Sequence, residues 1–123
     1  MSKKTFAQIK KLIAGGFESS TGLTPEFRSF STKFRNAMKK ALAEQGAELV
    51  NFRRGHFECS GFYRIDGQMG YFSISDVRSG LQDWPGHIMF RTAQHEKDYT
   101  GGSNNWGSFD DDKLAERMVN LIA

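Results

Sequence analysis

The sequence predicts an α+β domain in which helices pack on one face of a three- or four-stranded antiparallel sheet. Three observations carry this. Phe27, Phe30, Phe34, Met38, Ala41 and Leu42 form one continuous apolar stripe at helical spacing. From Leu49 onward the pattern alternates with period two, as a half-buried strand requires. Asp66-Gly67 then stands between two such runs, the dipeptide that suits a two-residue hairpin turn with positive φ at both positions.

Taken in order, Thr5 to Ile13 reads as a short helix, with Phe6, Ile9, Leu12 and Ile13 inward and Gly15-Gly16 stopping it. Thr24-Pro25-Glu26 opens the second helix, because Thr24 can cap free N–H groups and Pro25 suits the first helical position. Gly46 is its expected C-terminal cap. Leu49 to Arg53 and Phe57 to Ile65 read as strands joined through Arg54-Gly55-His56, and Met69 to Ser75 returns after Asp66-Gly67. Ile88 to Thr92 is the expected fourth strand, and Ala93 to Gly107 reads as irregular. Asp110-Asp111-Asp112 suits the positive end of a last helix, with Phe109 stapled onto Leu114 and Leu114, Ala115, Met118, Val119 and Ile122 buried. The expected order is α-α-β-β-β-(β)-α. It forms one domain over 1–123, with a basic helical part in 1–46 and the sheet, polar loop and last helix in 47–123.

A chain of 123 residues buries enough surface to fold around a single core without a staple. At 38% hydrophobic and 25% charged it is neither disordered nor membrane-spanning in composition. The N-terminal segment lacks the pattern of a secretory signal, and Cys59 is the only cysteine, so a reducing, cytoplasmic setting is expected. The net charge of +3 is unevenly spread. Residues 1–54 hold eleven Lys/Arg against four Glu, whereas 55–123 hold six Lys/Arg against ten Asp/Glu. A basic N-terminal part suits an anionic partner, with Arg28, Arg35, Lys39 and Lys40 supplying charge and Arg53 and Arg54 extending the patch. The competing reading is that these side chains only solubilise the outer faces of helices.

The fifteen residues Ala93 to Gly107 are long for a structureless loop in a compact domain. Thr100-Gly101-Gly102-Ser103 can turn successive N–H groups toward an anion, with Arg78, Arg91 and Lys97 adding charge and Asn104 a polar contact. Tyr99 or Trp106 can stack on a base. Against this, Gly101-Gly102 without Walker spacing is a weak phosphate signal, and a plain turn with Trp106 folded back onto the core explains the same residues. Arg91 and Trp106 are expected to anchor the two ends, leaving Lys97 to Asn104 exposed. His95 and Asp98 would serve as a base and its orienting acid, with Thr100 or Ser103 as nucleophile, but no nucleophile-elbow spacing accompanies them. His56 and Cys59, with His87 and His95 elsewhere, lack the paired short spacings of structural zinc. No metal and no cofactor is expected.

The element order resembles a double-stranded RNA-binding domain, but where that module carries a Lys-rich cluster this chain has Asp110-Asp111-Asp112. A second resemblance rests on Phe72-Ser73-Ile74-Ser75-Asp76-Val77-Arg78, Arg91-Thr92-Ala93 and Asp98-Tyr99-Thr100-Gly101-Gly102-Ser103-Asn104. These segments resemble small proteins carried by phages and mobile elements, over roughly residues 57–105. The resemblance implies an accessory protein that inhibits host defence, anti-CRISPR activity included. It therefore implies a host-cell cytoplasmic setting and a protein or nucleoprotein effector as partner. The function expected first is thus a non-enzymatic binding protein of this kind. An autonomous nucleic-acid-binding protein is the alternative. A small nucleotide-binding protein or hydrolase centred on Arg78, Arg91, His95, Asp98 and Tyr99 is the third reading.

Overall fold

A computed structural model describes residues 25–54, 58–75, 87–99, 101–108, 111 and 113–123, with the side chains of 25–30, Glu58, Ser75 and His87 excepted. The expected helix over 5–13, the stop at Gly15-Gly16, the Thr24 cap and the stapling Phe109 lie outside the described residues, as do the side chains of Phe27 and Phe30. Helix α1 spans Pro25–Glu44, followed by strands β1 (Glu48–Arg54), β2 (Glu58–Ile65), β3 (Gln68–Ser75), β4 (His87–Ala93) and β5 (Asn105–Ser108), then helix α2 (Leu114–Ile122). The strands form one antiparallel sheet in the order β1-β2-β3-β4-β5, each paired to the next in sequence.

The protein is thus α+β with an antiparallel sheet, but the described residues form five strands where three or four are expected. The extra strand, β5, has all but its last residue inside the stretch read as irregular. Its four residues, Asn-Trp-Gly-Ser, carry no apolar alternation that period-two reading can detect. Pairing of Met89 with Trp106 and Ile88 with Gly107 makes them a strand, so backbone hydrogen bonding to β4 decides what side chains do not.

Helix α1 ends as its sequence directs. Gly46 adopts φ +81°, the Ala47 N–H donates to the Leu42 carbonyl at 2.9 Å, and the Gly46 N–H donates to the Ala43 carbonyl at 3.0 Å. This is the Schellman pair, with Ala47 and Leu42 both buried beneath it. The β2–β3 turn likewise carries φ +50° at Asp66 and +79° at Gly67, as a type I′ hairpin needs.

One core joins both helices to one face of the sheet. Phe34, Met38, Ala41 and Leu42 of α1 and Leu114, Ala115, Met118, Val119 and Ile122 of α2 meet Cys59, Tyr63, Phe72, Ile74, Ile88 and Phe90. Phe34 packs near Phe52 and Phe72 at ring separations of 6.2 and 6.1 Å. Two strand glycines make room for rings on this face. A Cβ on Gly61 would stand 2.9 Å from the Phe72 ring, and one on Gly70 would overlap the Tyr63 ring, each glycine lying directly across from that aromatic. The buried Tyr63 hydroxyl donates to the Met118 carbonyl at 2.7 Å, tying sheet to α2, and burial pushes that phenol well above its ordinary pKa.

Candidate functional site

Two surfaces carry the candidate site residues, and the edge strand β1 lies between them. The first is the outer side of α1. With 3.6 residues per turn, the positions between the buried Phe34, Met38, Ala41 and Leu42 face away from the sheet. Lys33, Arg35, Lys39 and Lys40 all stand there, exposed. Among the described residues none of the four forms an ion pair, and Arg35 makes one hydrogen bond, to Asn36 at 3.4 Å. The Arg28 side chain lies outside the described residues. Arg53 and Arg54 continue the exposed charge at the end of β1. Consecutive strand residues point to opposite faces, so Arg54 shares the helix-covered side and Arg53 the other.

The second surface is the sheet face turned away from the helices. Register places Val50, Phe62, Tyr71 and Arg91 in one row across it, and Arg53, Ser60, Ser73, Met89 and Trp106 in the next. Phe62 is fully buried although it takes no part in the helix-side core. The segment between β4 and β5 explains this by folding back over the row. Tyr99 stands edge-on to Phe62 and Tyr71, with centroids 5.4 and 5.8 Å away, and Phe62 and Tyr71 are 5.0 Å apart.

Arg91 holds that segment down. It is 3% exposed, lies 4.3 Å over the Tyr71 ring, and donates to the Thr92 carbonyl at 3.1 Å and the Asp98 carbonyl at 2.7 Å. A buried guanidinium needs such acceptors and a ring face to offset its lost hydration. Gly101 and Gly102 permit the close approach. A Cβ on Gly101 would sit 2.7 Å from the Thr92 carbonyl oxygen and overlap the Arg91 guanidinium, and one on Gly102 would overlap the Thr92 hydroxyl. A second tie comes from β1, which is bulged between Val50 and Arg53. Asn51 takes φ +54° in the bulge and its amide donates to the Glu96 carbonyl at 2.8 Å. Arg53 donates to the Tyr99 hydroxyl at 3.1 Å and lies 5.8 Å from that ring's centre.

Within the segment, the Gln94 N–H donates to the Asp98 carboxylate at 3.0 Å, the Asp98 N–H to the His95 carbonyl at 3.1 Å, and the Lys97 N–H to His95 Nδ1 at 3.2 Å. His95 and Asp98 are therefore each engaged with loop backbone, and no hydrogen bond joins their side chains. They line an open cleft of about 580 Å³ with Thr92, Ala93, Gln94, Gly101 and Gly102. Lys97 and Asn104 are exposed. Arg78 and Thr100 lie outside the described residues. Among the described residues no cluster of His, Cys, Asp and Glu could hold a metal ion, and Cys59 is buried.

Of the two sequence readings of Trp106, stacking on a base or folding back onto the core, the structure departs from the second. Trp106 is 47% exposed, because its partner Met89 fixes it on the face away from the helices. Its neighbour Gly107 faces the core instead, where Leu114 and Phe90 occupy the space a side chain would take. Sequence reasoning also missed Phe62, Tyr71, Asn51 and Arg53 as parts of one assembly with Tyr99. The available signal was Phe62-Tyr63 followed by Tyr71-Phe72, adjacent aromatic pairs that must address both faces of a sheet.

Comparison of the chain with protein-family models, with curated proteins and with solved structures finds no match.

Proposed function

We propose that this protein is a non-catalytic binding protein that engages the phosphate backbone of a nucleic acid through the outer side of α1. It contacts that nucleic acid either free or as carried by a nucleoprotein effector. The observation that carries this reading is the set Lys33, Arg35, Lys39 and Lys40, exposed on one helix and without ion pairs among the described residues. Arg35 and Lys39 stand four apart, a like-charge spacing that weakens an isolated helix by a few tenths of a kcal/mol. A polyanion relieves that repulsion and adds release of condensed counterions. In a host-defence setting the same surface would dock on the RNA or DNA of the effector and block its use, which is the role that the resemblance to phage-borne proteins implies.

Fluorescence anisotropy with labelled oligonucleotides tests the reading. Binding is expected to weaken steeply with salt, and Lys39→Glu with Lys40→Glu is expected to abolish it while circular dichroism stays unchanged. Affinity indifferent both to salt and to these substitutions would overturn it. For the effector-bound case, co-purification with a nucleoprotein should be lost when nuclease removes its nucleic acid.

A further inference from the structure

The face away from the helices carries both large aromatic side chains that the described residues leave exposed, Tyr99 at 44% and Trp106 at 47%. Two half-exposed rings on one sheet face offer apolar surfaces on which a partner's planar group can stack. Their settings differ. Tyr99 stands on Phe62 and Tyr71 and is fixed by Arg53, so one edge of the ring is held and the remainder is open. Trp106 projects from the edge strand β5, with Met89 beside it on β4 and Ser73 next on β3, both half-buried. Tyr99 sits above β2 and β3, and Trp106 stands two strands beyond β3 in the next row, so the rings lie roughly 10–15 Å apart at the usual strand spacing.

Charge leads to this floor from the first surface. Arg54 and Arg53 step over the edge of the sheet, one on each face, from the side that α1 covers to the ring of Tyr99. Of the carboxylates nearby, one is ion-paired and one is hydrogen-bonded but keeps its charge. Glu48 pairs with Arg64 across β1 and β2, and Asp98 accepts the Gln94 N–H, leaving Glu96 as the exposed acid of the loop and Lys97 as its exposed cation.

Resting on the reading of α1, we infer that the nucleic acid is single-stranded, with its backbone following α1 and the β1 arginines and its bases stacking on Tyr99 and Trp106. A duplex cannot use these rings. Its bases are stacked on one another and offer only their edges, whereas an unpaired strand splays bases onto aromatic faces. Such stacking tolerates any base, because each has a π-face.

The test uses the full chain with Trp84→Phe, which leaves Trp106 as the sole tryptophan. Unlabelled oligothymidylate is titrated against it while Trp106 fluorescence is read, with a duplex of matched length in parallel. The inference expects quenching by the single strand, weaker binding by the duplex, and a roughly tenfold or greater loss of single-strand affinity in Trp106→Ala. Trp106→Phe, read by anisotropy, should recover most of that loss because it keeps a ring. Tyr99→Ala should add a second loss, and its circular dichroism is compared because Tyr99 also covers Phe62. Equal binding of both forms with Trp106 unquenched, and loss only in Lys39→Glu with Lys40→Glu, overturns the inference and leaves the reading of α1 standing. Absence of binding to either form overturns both. Quenching of Trp106 by a nuclease-treated protein partner, with no response to the oligonucleotide, overturns the inference in favour of a protein-binding sheet face.

Discussion

At the scale of single residues, Arg91 is the side chain on which the far face depends. It satisfies two carbonyl groups, covers the Tyr71 ring and forces glycine at position 101. Arg91→Ala would leave the Asp98 carbonyl without its guanidinium donor and the Thr92 carbonyl with the Gly102 N–H at 3.4 Å, beside an empty space, and the expected loss is roughly 3 kcal/mol from charge-assisted hydrogen bonds and ring contact. A chemical denaturation midpoint measures it. Hydrogen exchange should show the amides of Asp98 and Gly102 losing protection first, because they bond the His95 and Thr92 carbonyls in the segment that Arg91 holds. Exchange unchanged in this variant would show that the segment is held by something else. The role was only half legible in the sequence. Arg91 was expected both at an anion site and as an anchor, and nothing in the sequence places it beneath Asp98. The register of β3 and β4 does that, by setting Arg91 opposite Tyr71.

At the scale of elements, α1 was legible in its span and its ending, and in its stripe from Phe34 onward, because its signals are local. Stripe, cap glycine and turn act within a few residues of one another, and tertiary packing only confirms them. Phe34 is fully buried among Phe52, Phe72 and the rest of the core, so Phe34→Ala should cost ~3–5 kcal/mol, read as a fall in thermal or denaturant midpoint. The start of α2 is also local. The Asp111 carboxylate accepts the Lys113 N–H at 2.9 Å and a hydrogen bond from Arg117 at 3.0 Å, and these hold its pKa below the usual carboxylate range, the backbone bond being the larger cause. A group with a depressed folded pKa stabilises the fold above its unfolded pKa, and that contribution fades as pH falls through the folded value. Stability should therefore decline on acidification below the ordinary aspartate range, and Asp111→Asn should flatten that part of the profile. An identical pH–stability curve for the variant would show that Asp111 contributes nothing. Strand β5 was not legible, since four residues of Asn, Trp, Gly and Ser carry no periodic pattern and acquire their conformation from β4.

At the scale of the whole molecule, one sheet separates a core shared with two helices from a face partly covered by its own β4–β5 segment. The basic side of α1 belongs to neither, and among the described residues its four cations form no ion pair. Lys39→Glu with Lys40→Glu should therefore leave stability within about 0.5 kcal/mol of the parent, since Glu at 39 becomes an opposite-charge neighbour of Arg35 while Glu at 40 becomes a like-charge neighbour of Glu44, and the two effects largely cancel. Calorimetry checks this, and a marked destabilisation would show that α1 relies on those lysines for folding. What the sequence by itself determined was the α+β class, the extent and ending of α1, the β2–β3 turn and the burial of α2. All of these rest on patterns whose parts lie within one element or one turn. Tertiary structure alone decided the fifth strand, the outward Trp106, and the assembly of Asn51, Arg53, Phe62, Tyr71, Arg91 and Tyr99. Their members are up to 48 positions apart in the chain. The interactions that join them arise only when the sheet register brings distant strands side by side, and no local preference encodes that register.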